Sequence, residues 1–156
     1  MNRSKQWTRM SIFMVITCTS HAFAQSTSPT SGLCGGKLRA SSGTIISPGY
    51  PTAAYSHSLT CAWTIEATPN QIITLRVTDL ALESTQNCLY DFLDVYNGTS
   101  SNATRILHVC NSVSTITTVT KSKMYILFRS DESVSRKGFS ATYEITNEPL
   151  KAAQVE

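Results

Sequence analysis

Five cysteines are the residues of this 156-residue chain whose type and spacing point most directly to chemistry. Cys18 lies in an apolar N-terminal stretch, and the other four are Cys34, Cys61, Cys88 and Cys110. An even number of cysteines in an oxidising compartment predicts disulfide bonds, and four cysteines allow three pairings among which the sequence does not choose. Pairing them in sequential order would close two loops of similar size, each worth ~3 kcal/mol. A zinc site is the alternative, but no two of the four have the short spacing of zinc knuckles.

Groups suited to catalysis are scarce. After residue 24 the only histidines are His57, in a polar segment, and His108, in a strand-like run before Cys110, which indicates an exposed loop and an outward strand position. A hydrolytic triad would need one of them beside a nucleophilic serine, and no Gly-x-Ser-x-Gly elbow occurs. Glu83 and Asp91 could form a glycosidase pair, but a domain this small offers no evident substrate cleft. We therefore predict a binding protein rather than an enzyme, with a secreted hydrolase or venom-type effector as a rival.

The N-terminus has the three parts of a secretory signal. Arg3, Lys5 and Arg9 precede an apolar stretch over residues 10–24, which ends on the small-residue pattern Ala-Phe-Ala. A spanning helix would need ~20 apolar residues, and threonine and serine interrupt this stretch. We predict a signal peptide over residues 1–24 and a secreted, extracellular product without membrane insertion.

The net charge of the whole chain is misleading. Three of its 13 basic residues lie in the predicted signal, so ten basic and ten acidic residues remain in the mature protein. A formally neutral chain has no basic surface of the kind that binds nucleic acid. Because 41% of the residues are hydrophobic, the chain has enough apolar surface for one packed domain.

The elements that must position these residues have the period of β-strands. Polar segments over residues 25–33 and 147–156 predict a flexible leader and a flexible tail around a folded unit over residues 34–146. Apolar and polar residues alternate along 72–79, 124–129 and 139–145, and further β-rich runs cover 43–46, 61–65, 92–96, 105–109 and 114–119. Eight or so short strands with turn residues between them predict an all-β, antiparallel sandwich.

Aromatic and glycosylated positions fit such a sandwich. Asn97-Gly98-Thr99 and Asn102-Ala103-Thr104 are N-glycosylation acceptors within one polar loop, where glycans would keep one rim solvated. The strand patterns place an aromatic set in the core, and the alternative is an aromatic carbohydrate platform. The set comprises Trp63, Phe92, Phe128, Phe139 and Tyr143.

Several motifs together resemble the CUB domain family, over about residues 34–145. They are Cys34-Gly35-Gly36-x-Leu38, Ser47-Pro48-x-Tyr50-Pro51, Cys61-x-Trp63, Cys88-Leu89-Tyr90-Asp91, Phe128-x-Ser130-Asp131-x-Ser133 and Gly138-Phe139-x-Ala141-x-Tyr143. The resemblance implies a jelly-roll-like β-sandwich in which Cys34 is bonded to Cys61 and Cys88 to Cys110. The chain is most similar in character to the CUB modules of mucosal and epithelial secreted glycoproteins.

The resemblance also implies a calcium ion. The residues that hold one in many members of the family fall on Glu83, Asp91 and Asp131 in this chain, with Ser133 adding an oxygen. Calcium is a hard cation that takes six to eight oxygen ligands, so three carboxylates from separate loops suit it. The alternative is that these acids are solvated loop carboxylates. The chain departs from the family at Val134, where calcium-binding members often carry Asn, and this position offers no side-chain oxygen.

Such a site often captures a lysine of a partner in this family. An ammonium group has three donors and no acceptor, so it fits a ring of oxygens. The implied partner-binding residues are Glu83, Asp91, Asp131 and Ser133. Tyr55 is added as an assisting aromatic because it follows the Ser-Pro-x-Tyr-Pro turn, with packing at the edge of the sandwich as its alternative role.

The expected partner is an extracellular protein or matrix component, with glycans as a further option. An ion-independent glycan-binding or coat protein, similar to the seminal-plasma members of the family, is the main rival function. These members lack the acidic set, which this chain retains. The chain could also be one module of a longer product.

Overall fold

Nine β-strands form within residues 34–148, the part of the chain that this computed structural model describes. The predicted signal peptide, the predicted leader and residues 149–156 of the predicted tail lie outside the described residues. The strands are β1 (Gly35–Leu38), β2 (Ser42–Ile46), β3 (Thr60–Glu66), β4 (Gln71–Ala81), β5 (Phe92–Asn97), β6 (Thr104–Val109), β7 (Ile116–Thr120), β8 (Lys123–Arg129) and β9 (Gly138–Asn147). A short 3₁₀ segment at Gln86–Cys88 interrupts the connection between β4 and β5. None of the helical structure within 34–148 is long and apolar enough to cross a membrane.

The strands form two sheets, which confirms the predicted sandwich. One sheet has five strands in the order β1-β3-β8-β5-β6, and the other has four in the order β2-β9-β4-β7. Neighbouring strands are antiparallel except β1 and β3, which run parallel with Gly35 opposite Ala62. The Cys34–Cys61 disulfide explains this exception, because it joins the chain at the start of both strands.

Alternation along the strands builds the core between the sheets. The central strand β8 buries Met124, Ile126 and Phe128 on one face, each at most 1% exposed. Phe139 on β9 is fully buried and meets the ring of Phe128 at 5.5 Å and that of Trp63 at 5.9 Å, both nearly edge to face. Burial of side chains of this size contributes about 1.5–3 kcal/mol each, so the core stabilises the frame on which the loops are carried.

Both disulfides are formed in the pairing that the family resemblance implied. Cys34 bonds Cys61 across 27 residues of sequence, and Cys88 bonds Cys110 across 22. The second bond ties the β4–β5 connection to the end of β6. That connection is therefore held covalently at the point where it approaches β5.

Two differences from the sequence-based prediction concern the edge strand β1 and the C-terminal end of the interior strand β9. Strand β1 was not predicted, because its sequence Gly-Gly-Lys-Leu has little β-propensity, and the disulfide holds it against β3. Strand β9 extends to Asn147, which pairs with Gln71, so the predicted tail begins inside the sheet.

Candidate metal centre

Three carboxylates converge at one end of the sandwich. Glu83 follows the end of β4, Asp91 directly precedes β5, and Asp131 follows the end of β8. Phe92 and Arg129 are paired in the ladder between β5 and β8, so the backbone places Asp91 beside Asp131. Each of the three side chains offers a carboxylate oxygen, and these oxygens all lie within 4.8 Å of one another. The arrangement concentrates negative charge in a small volume.

Asp91 lies at the centre of this cluster and is fully buried. Its Oδ2 accepts a hydrogen bond of 2.5 Å from the Tyr55 hydroxyl, and its Oδ1 accepts one of 2.8 Å from the backbone N–H of Asp131. Buried carboxylates are costly unless hydrogen-bonded, and these two donors satisfy one site on each oxygen. Ionised carboxylate oxygens carry further lone pairs, so Asp91 can still bind a cation.

Glu83 is the member of the cluster with an unsatisfied atom. Its Oε2 is buried and has no hydrogen-bond partner within the described part of the chain. Desolvation raises the pKa of the Glu83 carboxyl, the negative charges of Asp131 and Asp91 raise it further, and Arg136 opposes them. The ionised form of Glu83 is therefore disfavoured in this environment unless a positive charge compensates it.

Asp131 and Ser133 form a tight local turn at the third corner of the site. The backbone N–H of Ser133 donates to Asp131 Oδ1 at 2.8 Å, and the Ser133 hydroxyl lies 3.2 and 3.3 Å from the two carboxylate oxygens. The Asp131 carbonyl accepts a 2.6 Å hydrogen bond from the N–H of Ser58, in the loop between β2 and β3. The hydroxyl of Ser133 thus lies next to the Asp131 carboxylate, and its role as an added oxygen ligand stays a prediction.

Tyr55 lies at the site, but its ring is not placed to contact a partner. Its side chain is only 2% exposed and packs edge to face on Phe128 with ring centroids 5.2 Å apart. Its hydroxyl donates to Asp91 and accepts a 3.1 Å hydrogen bond from the N–H of Glu83, so one atom links two of the carboxylate-bearing residues. Burial raises the pKa of Tyr55, and the hydrogen bond to Asp91 raises it further, which keeps the hydroxyl protonated as a donor. The ring belongs to the core, so its assignment as a partner contact is corrected to a supporting role.

Tyr90 is the exposed aromatic residue beside the site, and sequence reasoning missed it. It directly precedes Asp91 and is 49% exposed. Its position next to a predicted ligand was the available signal. The burial of the neighbouring Asp91 could not be read from the sequence, because alternation fails outside the regular strands.

The two histidines have different surroundings. His57 is exposed in the loop before β3, as predicted. His108 lies at an outward position of β6, since its neighbours Leu107 and Val109 pack on the core, and it is half-buried there. Its Nδ1 lies 2.5 Å from Asp94 Oδ1, and its Nε2 lies 3.0 Å from the carbonyl of Asn87. Asp94 is 1% exposed and also accepts a 2.8 Å hydrogen bond from Tyr96. His108 therefore links β5 to the segment that joins Glu83 and Asp91.

The two predicted glycosylation sites lie at or after the end of β5 that is opposite to Asp91. Asn97 is the last residue of β5, and Asn102 lies in the turn before β6. Both side chains are exposed. The structure thus leaves both acceptors accessible.

A two-sheet sandwich with two disulfides and a converging set of carboxylates defines a disulfide-stabilised β-module with a candidate cation site. The family model described as "CUB domain" matches residues 34–143, and the chain belongs to the CUB domain family. Human cubilin is 38% identical over 116 residues, which cover 74% of this chain and 3% of cubilin. Human Tolloid-like protein 1 is 37% identical over 111 residues, which cover 70% of this chain and 11% of the relative. The chain thus spans a small part of the length of these curated relatives.

A solved structure of similar extent carries a metal. The crystal structure of the MASP-1 CUB2 domain bound to Ca²⁺ matches with a TM-score of 0.61 and 27% sequence identity, covering 74% of this chain and 99% of that one. CUB homologues of this chain therefore include a calcium-bound domain.

Proposed function

We propose that this protein is a secreted CUB-domain binding protein that recognises an extracellular protein or matrix component in a calcium-dependent manner. The observation that carries the proposal is the convergence of Glu83, Asp91 and Asp131, together with one buried Glu83 oxygen that has no hydrogen-bond partner among residues 34–148. In this proposal the domain binds and does not catalyse. Glycosylation of Asn97 and Asn102 accompanies secretion.

The donor set fits calcium. A hard cation with six to eight oxygen ligands would be held by the carboxylates of Glu83, Asp91 and Asp131, with the Ser133 hydroxyl contributing a further oxygen. Glu83 Oε2 has no hydrogen-bond donor in the described part of the chain, and a bound cation would offset the free-energy cost of burying this oxygen. The calcium-bound MASP-1 CUB2 domain supports the choice of ion.

The charge balance supports capture of a lysine. Three ionised carboxylates exceed the two positive charges of a calcium ion by one, and Arg136, which is close enough to act on Glu83, offsets part of this excess. The negative charge that is left would attract a cation. A lysine ammonium group donates three hydrogen bonds and matches a group of carboxylate and hydroxyl oxygens. Tyr90 directly precedes Asp91 in the sequence and is 49% exposed, so its ring is accessible for a cation–π contact with a partner.

Thermal unfolding with and without calcium tests the ion site. We expect calcium to raise the Tm of the wild-type protein by several degrees, because a ligand at a hundredfold excess over its Kd stabilises the native state by about 2.7 kcal/mol. Asp131→Asn should abolish the rise. Glu132→Gln is the matched control, since it neutralises the neighbouring exposed acid and should keep the rise. If the wild-type protein has the same Tm in calcium and in chelator, the proposed ion site is wrong.

Binding to a lysine-containing peptide tests the partner chemistry. The peptide should bind in calcium and lose binding when the lysine is acetylated, because acetylation removes the positive charge of the lysine. It should also lose binding in chelator, because in this proposal the ion holds the three carboxylates in the arrangement that accepts the ammonium group. An immobilised glycan panel, measured in calcium and in chelator, tests the rival function. Glycan binding that persists in chelator, without lysine binding, would favour the ion-independent coat protein.

A further inference from the structure

The outward face of the five-stranded sheet carries an excess of positive charge, although the predicted mature chain is formally neutral. Side chains alternate along each strand, so the residues between the buried ones face outward. The charged residues at the outward positions of this sheet are the cations Lys37, Arg105, Lys123 and Arg129 and the acids Glu66 and Asp94. Asp94 is 1% exposed, so Glu66 is the one exposed carboxylate of this set. The tertiary structure thus separates charges that balance in the sequence.

One row of outward residues crosses all five strands of this sheet. Lys37 on β1 is paired with Thr64 on β3, which is paired with Tyr125 on β8. Tyr125 is paired with Tyr96 on β5, and Tyr96 is paired with Arg105 on β6. Because neighbouring strands lie about 4.8 Å apart, the Cα atoms of Lys37 and Arg105 are about 19 Å apart. The row therefore has a positive charge at each end and hydroxyl-bearing side chains between them.

The Lys37 end of the row is concave and holds further cations. Lys37 Nζ lies 3.5 Å from Glu66 Oε1, and Lys123 is paired with Glu66 in the ladder between β3 and β8. Lys37, Arg39 and Glu66 are among the residues that line a pocket of about 180 Å³. An ion pair whose two side chains are both exposed contributes little to stability, so Lys37 can exchange Glu66 for a ligand. Three cations thus surround a single carboxylate at this end.

The rest of the row is rigid in the middle and positively charged at its other end. The rings of Tyr96 and Tyr125 are in contact, with centroids 5.9 Å apart, and the Tyr96 hydroxyl donates to Asp94 at 2.8 Å. The half-exposed Arg105 lies 3.4 Å from the same carboxylate. Asp94 is also in contact with His108, so Arg105 is one of three partners of this acid. A guanidinium group has five donors, and Arg105 therefore keeps donors for a ligand.

We infer that the row from Lys37 to Arg105 binds a sulfated polysaccharide of the extracellular matrix, without calcium. The inference rests on the proposed secretion of the protein and not on the ion site. Sulfate groups pair with the cations at both ends of the row, and sugar hydroxyls hydrogen-bond with Thr64 and Tyr125. Pockets that enclose a whole small molecule measure about 300–1,000 Å³, so the smaller pocket beside Lys37 fits one group of a longer chain.

The row and the acidic cluster lie at opposite ends of the strands. Asp91 directly precedes β5, whereas Tyr96 is the second-last residue of that strand. A polysaccharide on the row therefore leaves the carboxylates free, and the domain can hold a matrix chain and a protein partner together.

Binding to immobilised heparin, measured in chelator over a range of salt concentrations, tests the row. The protein is used as secreted, with its N-glycans, because Asn97 directly follows Tyr96. We expect Lys37→Gln and Arg105→Gln each to weaken binding about fivefold, as expected for the loss of one exposed charge pair. Each variant should also show a weaker dependence of the Kd on salt, because one cation fewer displaces counterions from the polyanion. Arg76→Gln is the matched control, since Arg76 is exposed on the outward face of the other sheet.

The Tm of each variant is measured as well, because Arg105 contacts the buried Asp94, whereas Lys37 is exposed and its replacement should leave the fold intact. Unchanged heparin binding in Lys37→Gln, or equal weakening in Arg76→Gln, would overturn the row. Equal affinity for polyglutamate of matched charge would show that the surface does not select a polysaccharide. Binding that appears only after enzymatic removal of the N-glycans would rule it out for the secreted protein. Both row variants should keep calcium-dependent binding of the lysine peptide, so a failure of the row is distinguishable from a failure of the acidic site.

Discussion

The hydroxyl of Tyr55 links two of the three carboxylate-bearing residues, and its removal is a sharp test of how the site is supported. Tyr55→Phe keeps the ring that packs on Phe128 and deletes only the hydroxyl. Two hydrogen bonds are lost, one to the Asp91 carboxylate at 2.5 Å and one from the Glu83 N–H at 3.1 Å. Asp91 is fully buried, so water cannot readily replace the missing donor.

The expected cost follows from these two bonds. A hydrogen bond to a charged group contributes about 1.5–3 kcal/mol, and leaving the partner N–H without an acceptor adds about 1 kcal/mol. We therefore expect Tyr55→Phe to lower the free energy of unfolding by about 2.5–4 kcal/mol. We also expect weaker calcium binding, because Asp91 and Glu83 lose the hydroxyl group that links them.

Urea unfolding of the mature protein in chelator measures the stability effect, and calorimetric titration with calcium measures the effect on the site. Tyr125→Phe is the matched control, because the hydroxyl of Tyr125 makes none of the side-chain hydrogen bonds found within residues 34–148. A loss below about 0.5 kcal/mol in Tyr55→Phe, equal to that of the control, would refute the reasoning, since surface substitutions alone have effects of that size.

Three further substitutions test other parts of the site. Folding raises the pKa of Glu83 above its ordinary value of 4.5. The free energy of unfolding therefore falls as the pH rises from about 4.5 through the pKa of the folded state, because ionised Glu83 is less favourable in the folded protein than in the unfolded chain. Below about pH 4.5 the carboxyl is protonated in both states and has no such effect. In chelator at pH 7, Glu83→Gln should therefore unfold at a higher urea concentration than the wild-type protein. In calcium the wild-type protein should unfold at the higher urea concentration. If the same protein is the more stable under both conditions, this prediction is wrong. His108→Gln removes a tether to Asn87 and should weaken calcium binding about fivefold by calorimetry, whereas His57→Gln should leave it unchanged. Replacing both Cys88 and Cys110 by serine opens a loop that spans 22 residues and should lower the free energy of unfolding in urea by about 3 kcal/mol. The double variant should also bind calcium more weakly. Unchanged calcium affinity would show that the disulfide does not position the site.

Most of the sandwich could be predicted from the sequence. Strands β3, β4, β8 and β9 follow the alternation of apolar and polar residues, because each has one face towards the core. The disulfide pairing came from the family resemblance and not from spacing, since four cysteines allow three pairings. Strand β1 escaped prediction because pairing across the sheet, and not local propensity, forms it.

The residue types of the site were determined by the sequence, but their geometry was decided by the tertiary structure. Asp91 and Asp131 are 40 residues apart, and the β5–β8 register brings them together. The strand register leaves no signal in the local sequence. The sequence therefore could not show that Tyr55 is buried and Tyr90 is exposed. The outward position of His108 could be predicted from the sequence, but its contact with Asp94 depends on the pairing of β5 with β6. Periodicity reports which side of one strand faces the core, whereas the contacts that make a site depend on how different strands and loops are placed against each other.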